Sequence, residues 1–116
     1  MKKTVILIAA LSVYNFAFAQ KKADTFTGEI MDKQCAQMGS HENMMKAEGA
    51  KNAKECTLAC LKNGDTLVLF DSSAKKVYPI DSDKKVREYA GERVQINGDY
   101  DSDQNVLRVK SVAPAH

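Results

Sequence analysis

The chain has 116 residues, with 17 basic side chains against 15 acidic ones and three cysteines. That length supports one domain and is too short for two. So small an excess of positive charge leaves no reserve of Lys and Arg to neutralise a phosphate backbone, and a nucleic-acid-binding role is not expected.

Residues 1–19 open with Lys2 and Lys3, run apolar over 5–13 and finish Ala17-Phe18-Ala19, the small-x-small form of a secretory cleavage site. They read as a signal peptide cut before Gln20, followed by a single domain over 20–116. The apolar core of the segment is about ten residues, against the roughly 20 of a spanning helix, so no membrane span is expected after cleavage. With no cysteine at the cleavage point, a lipid anchor is not expected either. The expected location is therefore periplasmic or extracellular. Cleavage removes two basic residues and no acidic one, which leaves 15 of each in a near-neutral mature chain of about 97 residues.

A polar lead over 20–24 precedes the first expected strand at 25–31, where Phe26, Gly28 and Ile30 alternate with Thr25, Thr27 and Glu29. Gly28 in its middle suggests a bulge or bend. Next comes an insertion over 32–63 that holds all three cysteines. Its signals are helical: Ser40 can cap a short helix ended by Gly49, and Asn52 can cap a second with Glu55 three residues on and Asn63-Gly64 as its stop. On the second helix Cys56 and Cys60 share a face, with Leu58 and Leu61 as a neighbouring apolar stripe.

Residues 66–70 and 76–80 read as a hairpin around a polar turn at 71–74, and Pro79 places the second strand at an edge or ends its pairing. A short helix is expected over 82–90, burying Val86 and Tyr89 or Ala90. Residues 93–100 alternate cleanly. The last strand, 105–112, does not, because Leu107 and Val109 share a face that Val106 and Val112 do not, so a bulge or two-sided burial is expected there. Residues 113–116 form a tail. The fold class is thus all-β to α+β. Five strands with a helix between the third and fourth match the oligonucleotide/oligosaccharide-binding (OB) barrel, with the helical Cys/His-rich insertion in the connection between strands one and two, one of its usual binding rims. A generic α+β sandwich is the competing architecture.

The chemistry concentrates in the insertion. Cys35, His41, Cys56 and Cys60 are the right number and type of ligands for a closed tetrahedral zinc site. Met38, Met44 and Met45 nearby make Cu(I) the second choice, since thioether and thiolate donors favour a soft ion, although methionine in a helical segment usually fills core space. Small exported chains often staple themselves with a disulfide, and three cysteines cannot all pair within one chain. Neighbours at i and i+4 on a helix make a strained pair, so a disulfide would join Cys35 to Cys56 or Cys60. Catalysis has little support: His41 is the one credible base for a cysteine nucleophile, and no Gly-rich elbow flanks a cysteine. The Asp99, Asp101, Asp103 run lacks the Gly and distant Glu of a calcium loop.

Thr27-Gly28-Glu29-Ile30, Asp32-x-x-Cys35, His41, Cys56-Thr57-x-x-Cys60, Val68-Leu69-Phe70, Lys76-Val77-Tyr78, Ala90-Gly91-x-x-Val94 and the closing Val109 to Val112 together resemble a family of small exported bacterial domains of unknown function. The resemblance implies export and an OB-like barrel, and lends no activity. This chain departs from it in a longer, Met- and Lys-rich spacer between His41 and Cys56. The expected function is that of a non-enzymatic exported binding or structural domain whose Cys/His site binds a transition metal or is disulfide-stapled. The alternative is a thiol-redox or metal-handling accessory protein for zinc or copper. No particular partner is indicated.

Overall fold

The computed structural model of the chain describes residues 24–115. The expected signal peptide at 1–19, most of the polar lead and His116 lie outside the described residues. The elements run β1 (Asp24–Asp32), α1 (Lys33–Met38), α2 (Glu42–Glu48), α3 (Ala53–Lys62), β2 (Leu67–Asp71), β3 (Lys76–Pro79), β4 (Arg93–Asp101) and β5 (Val106–Pro114). Together they make an α+β fold of three helices and a five-stranded sheet in the order β3-β2-β1-β4-β5, every pair antiparallel.

β1 is the central strand because it serves two neighbours in succession. Asp24 to Glu29 pair with β4, and Glu29 to Asp32 pair with β2. Gly28 sits at this changeover without the expected bulge. Its role is close approach: a Cβ there would lie 2.4 Å from the Phe70 carbonyl oxygen. The bulge is in β5, where Asn97 faces Ser111 and Gly98 faces Val109, leaving Lys110 unpaired. That extra residue returns Val112 to the face of Val109, so both pack on the same core despite their odd spacing.

The ladder does not close into the expected barrel. β3 ends after four residues at Pro79, which has no N–H to extend the pairing. The edge strands meet instead at one parallel bridge between Ile80 and Leu107. Asp81 reinforces it: its N–H donates to the Leu107 carbonyl at 3.1 Å and its Oδ1 accepts the Val109 N–H at 3.1 Å. Lys85 Nζ then donates both to Asp81 Oδ2 and to the Val109 carbonyl, each at 2.9 Å.

In place of one helix over 82–90 there are two single 3₁₀ turns, Asp83–Lys85 and Arg87–Tyr89. Val86 and Ala90 are buried as expected, while Ala90 bridges to Ile30 and the Gly91 N–H donates to the Ile30 carbonyl at 2.7 Å. The segment is anchored to β1 at its end. Gly91, at φ +77°, also lets the backbone of Ala53 and Lys54 pass where a Cβ would be 2.5 Å from the Lys54 nitrogen, which seats the first turn of α3.

Alternation along β1 and β2 creates two apolar clusters. Ile30, Leu67 and Leu69 join Val86, Val94, Ile96, Leu107 and Val109 in the main core. Met31 and Val68, on the opposite face, join Cys35, Ala36 and Cys56 beneath the helices. Burial of both faces explains why three consecutive residues, Ile30, Met31 and Asp32, are all inaccessible.

Candidate metal centre

Cys35 and Cys56 belong to the second cluster, and each cysteine is placed by a helix whose start is fixed locally. Asp32, the last residue of β1, caps α1 by accepting the Cys35 N–H on Oδ2 at 2.9 Å. The same short helix is held from the far side, since the Lys33 N–H donates to the Thr66 carbonyl at 2.9 Å and the Gln34 N–H to Asp65 Oδ2 at 3.0 Å. α3 begins at the expected cap, with the Glu55 N–H donating to Asn52 Oδ1 at 2.9 Å, and it buries Cys56, Thr57 and Cys60. α2 begins one residue later than expected, with His41 rather than Ser40 at its cap position, and ends at Gly49 as expected.

Cys35, Cys56 and Cys60 converge, with their sulfurs within 4.8 Å of one another. All three are free thiols, so the disulfide staple expected as one option is not formed. His41 is brought to the same place from the other side: with Asp32 and Cys35 it makes a second group of donors, again within 4.8 Å of one another. The ring groups with Cys35 and Asp32, and not with Cys56 and Cys60. This buried Cys/His/Asp cluster could bind a metal ion.

Asp32 is the residue that sequence reasoning missed. A signal was present: an acid three positions before Cys35 is a helix N-cap spacing, and it marks both α1 and a carboxylate turned into the protein. Glu29 and Thr57 were also not singled out as site residues. Glu29 Oε2 lies 3.1 Å from His41 Nε2, so the ring donates its Nε2–H there and turns Nδ1 inward.

Three buried polar atoms in this region have no hydrogen-bond partner: Asp32 Oδ1, His41 Nδ1 and Thr57 Oγ1. Leaving a buried donor or acceptor unpaired costs about 1–3 kcal/mol each. Asp32 Oδ1 and His41 Nδ1 face each other at 4.0 Å, too far for a hydrogen bond. A metal ion held between this carboxylate oxygen and this ring nitrogen would partner both atoms at once.

The thiols show the same need. Burial, then the hydrogen bond and negative charge of Asp32, push Cys35 far above the usual thiol range. Burial and then the Asp32 charge push Cys60 up to about 12. Burial likewise raises Cys56, against a smaller opposing hydrogen bond from Cys35. Without a cation these are neutral thiols and poor nucleophiles. A bound metal reverses that logic by stabilising the thiolates directly.

The methionines divide between packing and surface. Met44 and Met45 pack against the second cluster, while Met38 is 45% exposed. A scan against protein-family models, a search of curated proteins and a search of solved structures each found no match.

Proposed function

We propose that the chain is an exported, non-enzymatic metal-binding domain on a partly open, OB-like sheet, with Cys35, His41, Cys56 and Cys60 as ligands and zinc as the preferred ion. The observation that carries this reading is the convergence of three buried free thiols beside an inward-facing imidazole nitrogen and a carboxylate. A zinc ion with Zn–S bonds of about 2.3 Å sets its sulfurs roughly 3.8 Å apart, a spacing compatible with thiols that lie within 4.8 Å of one another. Zinc is preferred over Cu(I) because Met44 and Met45 are engaged in packing and Met38 is exposed, which leaves thiolate, imidazole and carboxylate as the donor set.

The strand order and the Ile80–Leu107 bridge between the edge strands support the OB-like reading. In that architecture the connection between the first two strands lies on the binding rim. The elevated thiols, poor nucleophiles without a cation, support a binding rather than a catalytic role.

One experiment tests location and site together: native mass spectrometry of the protein recovered from the periplasm or medium, with thiol alkylation before and after chelation. The expected species starts at Gln20, carries metal and has three thiols that become reactive when the metal is removed. A species two mass units lighter than the reduced chain, with one reactive thiol, would overturn the metal reading in favour of a disulfide-stapled domain. A metal-free species with three reactive thiols would overturn both.

A further inference from the structure

A single tetrahedral ion needs its donors mutually close, and the site offers two overlapping triads instead. Cys35, Cys56 and Cys60 form one; Asp32, Cys35 and His41 form the other. They share only the Cys35 sulfur. We infer that the centre holds two divalent ions bridged by the Cys35 thiolate, one also held by Cys56 and Cys60 and the other by Asp32 and His41, so that each has three protein ligands. This rests on the metal-binding reading proposed above and adds its stoichiometry and the role of Asp32.

Two observations support two ions rather than one. First, Asp32 Oδ1 and His41 Nδ1, both buried and unpartnered, face one another across 4.0 Å, and an ion among them and the Cys35 sulfur satisfies both atoms at once. Second, His41 Nε2 is 3.1 Å from Glu29 Oε2. A carboxylate on the far nitrogen of the ring is the arrangement that fixes the tautomer and orientation of metal-bound histidines.

Sharing one thiolate would place the two ions at a separation on the order of 3.5–4 Å, the range of known two-metal sites.

The test is titration of Zn²⁺ into the metal-free full-length mature protein, read by native mass spectrometry, with Co²⁺ as a spectroscopic probe. Two zinc ions per chain are expected, and a Co²⁺-loaded protein whose two ions are magnetically coupled through the shared sulfur. His41→Ala should load one ion and keep the thiolate-to-cobalt absorption. Glu29→Gln, which leaves every ligand in place, should weaken the second ion by about 10–100-fold and spare the first. Saturation at one ion, or Glu29→Gln weakening both ions alike, would overturn the two-ion inference while leaving the metal-binding reading intact. No binding at all would sink that reading as well.

Discussion

The two apolar clusters on opposite faces of β1 and β2 are built by the same alternation and have opposite characters. The main core buries eight aliphatic side chains, contains no buried polar atom without a partner, and is closed at its edges by Asp81 and Lys85. The cluster beneath the helices buries Met31, Cys35, Ala36, Cys56 and Val68, and it is bordered by Asp32, His41 and Thr57, each with an unpartnered atom. Apolar burial holds the first together at about 25 cal/mol per Å². The second gives up part of that stabilisation to keep thiols, a carboxylate and an imidazole inside, which makes physical sense where a cation supplies the missing interaction.

The sharpest way to break this contrast is to damage the aliphatic core alone. Leu69→Ala, at a fully buried position, should cost about 2–5 kcal/mol in urea unfolding, by the same amount with and without chelator. A cost that vanishes in chelator would mean that the two clusters form one energetic unit.

Metal removal probes the other side. With free zinc at 100 times its Kd, linkage contributes about 2.7 kcal/mol, so chelator should lower the melting temperature of the unmodified protein. An unchanged melting curve would reject a bound ion.

The smallest effect concerns the edge closure. Burial opposes the charge of Asp81, but the Lys85 ammonium and the Val109 N–H outweigh it and hold its carboxyl below the usual range. A depressed native pKa stabilises the fold above the unfolded value, about 3.9, and that contribution is lost as pH falls through the native one. Asp81→Asn should therefore cost about 1 kcal/mol near pH 7, with the difference shrinking below about pH 4 and the bound zinc unaffected. A pH-independent difference would show that the charge at Asp81 is not what matters.

Much of this arrangement was legible in the residues. Period-2 alternation located β1 and β4, the Thr66-to-Ile80 region gave its hairpin, and the odd spacing of Val109 and Val112 left a bulge or two-sided burial, of which the bulge is present in β5. Asn52 and Gly49 marked helix ends by local backbone chemistry. α1 escaped notice because six residues are too few for a periodic pattern, and its one strong signal, the Asp32 cap, also ends a strand. The 82–90 segment has helix-like composition, but it forms two 3₁₀ turns and ends tied to β1 by the Ala90 bridge to Ile30 and the Gly91 bond.

At the site, the sequence by itself determined the inventory: three cysteines and a histidine close together in the chain, two of the thiols on one helical face, and an odd count that no internal disulfide scheme can use up. Only the tertiary structure decided the grouping. It drew the three thiols together without a disulfide, set His41 against Cys35 and Asp32 rather than Cys56 and Cys60, and turned Glu29 toward the outer ring nitrogen. Spacing along a chain fixes relative positions within one helix. Donors from a strand end and three separate helices meet only through the packing of those helices on the sheet.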